Sequence, residues 1–426
     1  MARRRSVGSA KKTIFDPIHG PISLDGVALA LLSTPEFQRL WGIRQTGFAH
    51  LVFPGANHTR LEHSLGTYWV AEQMAARLEL SAQRSERVAV AGLLHDLGHP
   101  PFSHTLDGPM QEVLGCSHEQ ISRARIVGAD PGWPTDPPEI PAALERFHLD
   151  PREVADLIDP PTRSRAPPLL RAILHGPIDA DRIDYLQRDA HYTGVGHGAI
   201  DAVRLLDTMR PLRGRLAFAE KGRSAVEGFL VGRTLMYSTV YYHKTVRAAE
   251  MMAQSAVERM PGYPDGARAL FGLNDGELLV RLSGAGGASA ELTEGLLARR
   301  LFKRAHGWRT ILAADRGPWR RLVRSPESRR HLEDEVAERV GAPRGSVLID
   351  LAGLEAHAEP GEDWEGMGLL VGGRVTFPFR GPGPWQALAN RAPADWAVNV
   401  YVAPRYRESV SRVFARGRDP FSLSNG

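Results

Sequence analysis

The 426-residue chain contains 42% hydrophobic and 24% charged residues, carries a formal net charge of +4 and has one cysteine, Cys116. This composition is typical of a soluble globular protein, and no apolar stretch approaches the roughly 18 residues of a membrane span, so we expect a cytoplasmic location. A single cysteine excludes an internal disulfide and a thiolate metal cluster, which leaves imidazole and carboxylate groups as metal ligands.

The first helices are predicted from the spacing of apolar residues. Between about 61 and 80 such residues recur every three or four positions, which is the period of a core-facing helix. This helix would place His63 in its first turn. A second helix should start after Ser85, a favourable N-cap residue, and stop at the glycine and prolines that follow the next motif. His95 and Asp96 would then occupy its last turn.

Two stretches of the first half depart from this pattern. Residues 1–12 are basic and no apolar segment follows them, so we expect a flexible tail and not a secretion signal. Residues 128–168 are dense in proline and charge around a short amphipathic piece. We interpret them as an insertion with mobile ends.

The character of the chain changes towards its C-terminus. Helical patterning resumes near 169 and continues in pieces to about 340, after which SVLIDL, GLLV, RVTFPF and AVNVYVAP are typical of strands. Gly372-Gly373 indicates a two-residue hairpin turn. We therefore predict a mainly α fold, with a helical domain over 13–330 and a small α+β module over 331–426.

Four side chains are candidate ligands of one metal ion, namely His63, His95, Asp96 and Asp181. Two neutral imidazoles and two carboxylates suit a divalent ion such as Fe, Mn, Co, Ni or Zn, with open positions for water and a phosphoryl oxygen. The ligand types do not identify the ion, and Mg also stays open. Each residue alone is more often structural or solvated, but their combination favours a metal site.

Two helical stripes carry further candidate residues. Asp181, Tyr185 and Asp189 are four residues apart in IDADRIDYLQRDAHYTG and would line one helix face towards a pocket. A second set is spaced by four, four and three residues and would form a basic, aromatic face; it comprises Arg233, Tyr237, Tyr241 and Lys244. The alternative for this second set is a tyrosine stripe buried in a helix pair.

Several motifs in order carry a family resemblance: FDPIHGPISL, TPEFQRL, IRQTGFAHLVFPGANHTRLEHSLG, AGLLHDLGHPPFSHTLD, HEQ, DADRIDYLQRDAHYTG and VYYHKTVRAAEMM. The chain resembles the HD-domain deoxynucleoside triphosphate triphosphohydrolases, the mammalian SAM-and-HD-domain enzyme and its bacterial relatives, without the SAM domain. The resemblance covers about residues 12–415 and is most specific over Phe15–Asp107 and Asp179–Glu250. It implies an HD-domain helical core.

The resemblance also implies roles for the clustered histidines. The four candidate ligands match the metal ligands of the family, while His99, His104 and His118 match histidines around the phosphates. We expect the ion to hold an α-phosphate oxygen and a water or hydroxide. His104, assisted by Asp107, would protonate the departing 5′ oxygen, and Glu119 is a weaker candidate for positioning a histidine.

The substrate pocket is assigned in the same way. The residues implied to contact phosphate are Arg60, Arg182 and Arg233; those at the sugar are Gln45, Tyr185 and Asp189; and those at the nucleoside end are Tyr237 and Tyr241. A tyrosine ring under the 2′ carbon would exclude ribose. Base preference stays open, because the mammalian enzyme has histidine in place of Tyr237.

The resemblance further suggests regulation and assembly. Arg204 and Lys244 match basic residues of an allosteric dNTP site, so we expect activation by a dNTP in a homodimer or homotetramer. The neighbouring guanine-nucleotide site is altered at Phe15, Ser33 and Trp41, although Gln38 is retained, which argues against guanine-specific activation.

Two other functions stay open at this point. One is an HD phosphohydrolase acting on another nucleotide, such as a monophosphate or a specialised derivative. Product analysis distinguishes the two enzymes, because only a dNTP triphosphohydrolase would release intact triphosphate. The other is a nucleic-acid-binding or scaffold protein that has lost catalysis. Clustered ionisable groups without a task disfavour this last reading, but nucleic-acid binding as a secondary property stays possible.

Overall fold

A computed structural model describes residues 11–130, 132, 138–159, 166–309, 316–354, 364–380, 383–389 and 397–414. The mainly α fold with a small α+β part towards the C-terminus is confirmed. Within these residues no helix combines the length and the apolar character that crossing a membrane requires.

The secondary structure alternates long helices with short strands. Helices that precede the proline-rich segment are α1 (Gly26–Leu32), α2 (Pro35–Gln38), α3 (Arg60–Arg77), α4 (Ala82–Leu94), α5 (Asp107–Leu114) and α6 (His118–Val127). Later helices are α7 (Ile140–Arg146), α8 (Pro151–Ile158), α9 (Pro168–His175), α10 (Ala180–Thr193), α11 (Ala202–Thr208), α12 (Arg223–Met236), α13 (Lys244–Glu258), α14 (Asp275–Ser283), α15 (Gly287–Leu297), α16 (Arg316–Arg324), α17 (Pro326–Arg339), α18 (Pro384–Ala389) and α19 (Arg407–Phe414). The strands are β1 (Lys12–Asp16), β2 (Gly20–Leu24), β3 (Met209–Leu212), β4 (Arg215–Ala219), β5 (Lys303–Trp308), β6 (Val347–Asp350), β7 (Gly368–Val371), β8 (Arg374–Thr376) and β9 (Val398–Val402).

Helix α3 has a well-defined start. The Thr59 hydroxyl accepts a hydrogen bond from the Glu62 N–H, and the Glu62 carboxylate accepts one from the Thr59 N–H at 2.6 Å. This reciprocal capping box satisfies two N–H groups that a helix start leaves unpaired. His63 therefore lies in the first turn, as predicted, and α3 packs against α4 and α10.

The limits predicted for α4 were wrong at both ends. The helix starts at Ala82, because the N–H of Ser85 already donates to the Ser81 carbonyl at 2.9 Å, so Ser81 occupies the N-cap position. The helix ends at Leu94. His95 is the C-cap residue and Asp96 follows the helix, so neither lies in its last turn.

The proline-rich segment contributes to the core. Its described part, residues 138–159, forms α7 and α8, and α8 packs against α4 and α6. Val154, Leu157 and Ile158 are fully buried or nearly so. The predicted mobile ends fall largely on residues 131, 133–137 and 160–165, which are outside the described residues.

Strands from distant parts of the chain pair with one another. The described strands form the hairpin β1-β2 and sheets of order β3-β4-β7-β8 and β5-β9-β6. The predicted hairpin turn at Gly372-Gly373 is confirmed between β7 and β8, with both glycines at positive φ. The boundary between two domains near residue 330 stays a prediction. Strand β4 pairs with β7, and β5 pairs with β9, so two sheets contain strands from both sides of it.

Candidate metal centre and phosphate site

The four candidate ligands meet where α3, the end of α4 and the start of α10 come together. His63 Nε2 lies 3.0 Å from Asp181 Oδ1 and 3.6 Å from Asp96 Oδ2, and His95 Nε2 lies 3.1 Å from Asp96 Oδ1 and 3.8 Å from Asp181 Oδ1. His63 and Asp96 are buried, whereas the Asp181 side chain is 34% exposed and lies at an open side of the cluster. The arrangement offers a set of nitrogen and oxygen donors to one cation.

The other ring nitrogen of each imidazole is engaged. His63 Nδ1 contacts Asp184 Oδ2 at 2.7 Å, and His95 Nδ1 contacts the Gly92 carbonyl at 2.7 Å. A hydrogen bond at Nδ1 fixes the tautomer in which Nε2 presents a lone pair to a metal. His95 Nε2 is buried and makes no hydrogen bond to any described residue. The donor set therefore fits a divalent ion.

The local charges support this assignment. Burial lowers the pKa of His63, but Asp181, Asp184 and Asp96 outweigh it and raise that pKa to about 10. Burial opposes ionisation of Asp96, but Arg60, His95 and His99 hold its pKa well below the usual range. Without a cation the cluster therefore holds ionised carboxylates beside a protonated His63, and a divalent ion would take the place of the proton at Nε2.

A second cluster adjoins the first and comprises His99, His104, Asp107 and His118. The rings of His99 and His118 stack with centroids 3.9 Å apart, and His104 lies edge-on to His99 at 4.8 Å. Asp107 Oδ2 is 2.9 Å from His104 Nδ1 and 3.3 Å from His118 Nδ1. His99 Nε2 lies 3.3 Å from Asp96 Oδ1, which connects the two clusters.

The three histidines of this cluster differ in protonation and exposure. Burial, Arg60 and the neighbouring His118 hold the pKa of His99 well below its usual range. Burial also lowers the pKa of His118, but Asp107 and Glu119 raise it to about 10. His104 is 68% exposed. The cluster thus combines a neutral imidazole, a charged imidazole and an accessible one.

Arg60 is placed beside both clusters. Its Nη1 donates to Asp96 Oδ2 and its Nε donates to the Ser103 hydroxyl at 2.7 Å. Its Nη2 is buried without a hydrogen-bond partner among the described residues. Arg182 donates to Asp179 and to the Gly176 carbonyl, and Arg233 lies over the ring of Tyr237 at 4.8 Å.

The residues predicted at the sugar form a hydrogen-bonded group. Asp189 accepts a hydrogen bond from the Tyr241 hydroxyl and contacts His58 Nε2 at 2.7 Å. Tyr185 lies edge-on to Tyr241 with centroids 6.3 Å apart. The Tyr185 hydroxyl and Gln45 Oε1 are buried without partners among the described residues. Both groups are available to a ligand.

The comparisons with known proteins agree with this geometry. Residues 60–189 match the family model of the HD domain, and residues 200–417 match that of the HD-associated region. The chain belongs to the HD-domain family. The HD region contains all four candidate ligands, as well as the histidine cluster.

Relatives of this HD-domain chain span several kingdoms. An uncharacterized protein of Methanocaldococcus jannaschii is 40% identical over 250 residues, which cover 58% of this chain and 49% of that protein. The deoxynucleoside triphosphate triphosphohydrolase SAMHD1 of Homo sapiens is 31% identical over 291 residues, which cover 59% of this chain and 45% of that protein. The chain spans about half the length of the curated relatives it matches. The resemblance to this family is confirmed.

Solved structures share the fold over nearly the whole length. A hypothetical protein from Aquifex aeolicus has a TM-score of 0.72 at 28% identity, covering 95% of this chain and 99% of that chain. A phosphohydrolase from Bacteroides thetaiotaomicron has a TM-score of 0.69 at 24% identity, covering 92% and 99% respectively. The second likeness concerns the fold alone.

Of the predicted face, Arg233, Tyr237 and Tyr241 stay together, with Arg233 4.8 Å from the Tyr237 ring and the Tyr237 and Tyr241 centroids 5.0 Å apart, but Lys244 does not share it. Helix α12 ends at Met236, a π-helical turn covers Tyr237–Tyr241, and α13 starts at Lys244. The chain breaks here because His243 adopts extended backbone and caps α13, with Nδ1 accepting from the Thr245 N–H at 3.3 Å. Lys244 is exposed beyond this break.

The residues that the family resemblance assigns to the two allosteric sites are all exposed. Arg204 is exposed and pairs with Asp201 at 3.2 Å. Phe15 and Trp41 are 82% and 55% exposed. Ser33 and Gln38 are also exposed, and the Gln38 amide donates to the Leu32 carbonyl at 2.7 Å. The regulatory role of Arg204 and Lys244 stays a prediction, as does the absence of guanine-specific activation.

The sequence did not indicate the side chains that hold the candidate metal ligands of the HD domain in place. Asp184 contacts His63, and its Oδ1 lies 2.6 Å from His19 Nε2. Arg188 donates to both Asp184 oxygens at 2.9 Å and to Asp16 at 2.8 Å. Asp184 lies three residues after Asp181 and four before Arg188 on α10, a spacing that could have indicated a second buried carboxylate on that helix.

Proposed function

We propose that this protein is a metal-dependent phosphohydrolase that converts deoxynucleoside triphosphates to deoxynucleoside and triphosphate. The observation that carries the proposal is the adjacency of the two clusters, joined by the 3.3 Å contact between Asp96 and His99. One cluster offers ligands for a cation, and the other offers hydrogen-bond donors and a proton at the same opening. Family membership supports the phosphohydrolase class, and the human relative's name supports the dNTP substrate.

His63, His95, Asp96 and Asp181 would hold the ion, which can be Fe, Mn, Co, Ni, Zn or Mg. When bound, a divalent ion polarises a phosphoryl oxygen and lowers the pKa of a water molecule. Asp184 orients His63 and the Gly92 carbonyl orients His95, so both Nε2 atoms stay directed at the ligand position.

Charged donors of the chain bind the phosphates. Arg60 is anchored to Asp96 and Ser103, so its remaining buried Nη2 can donate to a phosphoryl oxygen without a large loss of side-chain entropy. His118, whose pKa is raised to about 10, carries a proton at neutral pH. We assign Arg182 and Arg233 to the remaining phosphate oxygens on the basis of the family resemblance.

His104 is the proposed general acid. Asp107 contacts its Nδ1 at 2.9 Å, which orients the ring so that Nε2 is directed away from Asp107. With a side chain that is 68% exposed, the ring can reach a ligand at the opening. The proton at Nε2 would pass to the 5′ oxygen as its bond to phosphorus breaks, which leaves a neutral deoxynucleoside. His99 would donate to a phosphoryl oxygen, and Glu119 would position His118.

The side chains proposed to contact the sugar suit a deoxyribose. Asp189 already accepts hydrogen bonds from Tyr241 and interacts with His58, which fixes the carboxylate and the Tyr241 ring. The unpartnered Tyr185 hydroxyl and Gln45 Oε1 would bind the 3′ hydroxyl. We propose that the Tyr185 ring excludes a 2′ hydroxyl, and that Tyr237 and Tyr241 contact the nucleoside. Assembly as a homodimer or homotetramer, with dNTP activation through Arg204 and Lys244, completes the proposal.

The test is chromatography of the products from metal-reconstituted protein incubated with separate dNTPs, NTPs and NMPs. Intact triphosphate and deoxynucleoside are expected from dNTPs, with ATP cleaved much more slowly than dATP. Orthophosphate released from NMPs would instead identify another HD phosphohydrolase. Equal hydrolysis of ATP and dATP would contradict the role of Tyr185, and the absence of any hydrolysis across the panel would contradict the proposal.

A further inference from the structure

One buried histidine, His58, belongs to neither cluster of the site. Its Nε2 lies 2.7 Å from Asp189 Oδ1, and both side chains are almost completely buried. A carboxylate oxygen accepts hydrogen bonds, so Nε2 carries the hydrogen of this contact. The second Asp189 oxygen accepts from the Tyr241 hydroxyl. The carboxylate is therefore held at both oxygens by donors from different parts of the chain.

Helix α10 holds the His58 ring at its edge and at its face. Tyr192 lies three residues after Asp189, and its ring stacks on the imidazole with centroids 4.6 Å apart and planes at 17°. The Tyr192 hydroxyl in turn donates to Glu62 Oε1 at 2.9 Å. A Cβ atom at Gly55 would lie 2.4 Å from the Tyr192 carbonyl oxygen, so the loop before His58 packs directly on α10. The imidazole therefore has one well-defined position.

The main chain of His58 holds Gln45. The Gln45 N–H donates to the His58 carbonyl at 3.0 Å, and the Arg60 N–H donates to the Ile43 carbonyl at 2.9 Å, so two short segments run antiparallel. Gln45 Oε1 is buried without a partner among the described residues. His58 thus fixes Asp189 through its side chain and Gln45 through its main chain, and both of these residues are assigned to the sugar.

The acceptors held by His58 select the chemistry of the ligand. Each carboxylate oxygen has two lone pairs, and the described donors to Asp189 are His58 at one oxygen and Tyr241 at the other. Asp189 can therefore accept a further hydrogen bond, as can Gln45 Oε1. The sugar of a dNTP has a single hydroxyl, at C3′, which can donate to them. A nucleotide that lacks it would leave buried acceptors unpaired, which costs affinity.

We propose that His58 is a positioning residue that makes the site selective for nucleotides with a 3′ hydroxyl. This inference rests on the function proposed above, because it takes Asp189 and Gln45 as sugar contacts. His58 acts through these two residues and not through its own contact with the sugar. By holding the acceptors in place before the nucleotide binds, it reduces the ordering that binding requires.

The experiment is calorimetric titration of the full chain, with metal removed by a chelator, with dATP and with 2′,3′-dideoxyadenosine triphosphate (ddATP). Without turnover the affinities do not depend on hydrolysis. The test variant is His58→Leu, and His58→Gln returns an N–H donor. His331→Leu, at an exposed position on α17, is the matched control. Thermal unfolding checks that each variant is folded, and Tyr192→Leu, which removes the stacked ring, replaces His58→Leu if it is not.

Wild type and control should bind dATP roughly 10–100-fold more tightly than ddATP, as expected for a buried hydrogen bond to a charged group. His58→Leu should reduce this ratio by roughly tenfold through weaker binding of dATP alone, and His58→Gln should restore part of it.

An equal loss of affinity for both nucleotides in His58→Leu would indicate a merely structural role and overturn the proposal. So would an unchanged ratio in that variant, equal affinities in wild type, or no binding of either nucleotide. If wild type prefers dATP but does not hydrolyse it after metal reconstitution, the proposed function fails and the role of His58 stands.

Discussion

Asp275 accepts a 2.6 Å hydrogen bond from the backbone N–H of Phe102, a residue held in the left-handed region at φ +56°. The other Asp275 oxygen accepts from the Arg44 N–H at 3.0 Å. A left-handed conformation of a bulky residue costs roughly 1–3 kcal/mol and persists only where surrounding contacts hold it. Helix α14 of the HD-associated region therefore fixes the segment between His99 and His104.

Asp275→Asn should disturb this segment. An amide can accept at one position only, so its NH2 group would face one of the two backbone N–H groups and leave it unsatisfied. We expect the free energy of unfolding to fall by about 1–3 kcal/mol and turnover to fall with unchanged metal content, because the ligands lie elsewhere. Denaturant unfolding, product assays and metal analysis check this. Asp265→Asn, an exposed position, is the control and should match wild type; unaltered stability of Asp275→Asn would contradict the argument.

The same residue predicts a pH dependence. Burial raises the pKa of Asp275 to about 6, although Arg44 and Phe102 oppose the shift. Because the folded-state pKa exceeds the unfolded value near 4, the stability linked to this proton is present below about pH 4 and is lost as the pH rises through about 6. The shift of the Asp275 pKa by about two units corresponds to about 3 kcal/mol in the free energy of unfolding. The free energy of unfolding of wild type should therefore fall more steeply between pH 4 and 7 than that of Asp275→Asn, and identical pH dependence of the two proteins would refute the shift.

Asp184→Asn should weaken the metal site without removing a ligand. Asp184 holds the His63 ring and is itself held by His19 and Arg188. Loss of such a supporting carboxylate lowers metal affinity by roughly 10–100-fold. Competition with a chelator of known affinity measures the change. Asp207→Asn removes a carboxylate that is 56% exposed and pairs with Arg77 at the surface, and it should leave metal affinity unchanged. Equal affinities of Asp184→Asn and wild type would count against this supporting role.

The packing around Asp184 also predicts the effect of a small substitution. A Cβ atom at Gly66 on α3 would lie 1.8 Å from Asp184 Oδ1 and 2.4 Å from Arg188 Nη2. These groups are bound to each other and cannot move apart easily, so Gly66→Ala should destabilise the protein by about 1–3 kcal/mol or more. At Gly228 on α12 no atom lies within 4 Å of such a Cβ, so Gly228→Ala should stabilise by about 0.5–1 kcal/mol. The two melting temperatures should shift in opposite directions, and the same shift in both would contradict the packing argument.

The sequence predicted the elements of the site better than the contacts that support it. His63, His95, Asp96 and Asp181 carry recognisable motifs, and the helix periods place them at helix starts or ends. The contact of Asp184 with His63 joins residues 121 apart in the chain. Single-sequence patterns contain no information on such a contact, because it depends on how α3 packs on α10.

Local backbone breaks were predictable only where a residue type indicates them. Gly372-Gly373 gave a correct hairpin because glycine adopts positive φ at low cost. No glycine or proline indicates the break before Lys244, where His243 turns extended and caps the next helix. Ser85 was an equally favourable cap residue to Ser81, and only the hydrogen bond from its own N–H shows that the helix had already started.

His63 and His104 belong to different clusters of the site, so their substitutions should have different effects. His104→Ala should keep metal content at the wild-type level, because His104 contacts Asp107 and not the four ligands, while turnover falls by roughly 10²–10⁴-fold through loss of proton transfer. His63→Ala should lose both metal and turnover. His148→Ala, at an exposed position of the α7–α8 connection, is a control for the loss of a histidine and should alter neither. Metal analysis and product assays on the same three preparations distinguish the outcomes. If His104→Ala turned over substrate at the wild-type rate, the general acid would have to be sought among His99 and His118; if it lost the metal, the two clusters would not act as separate units.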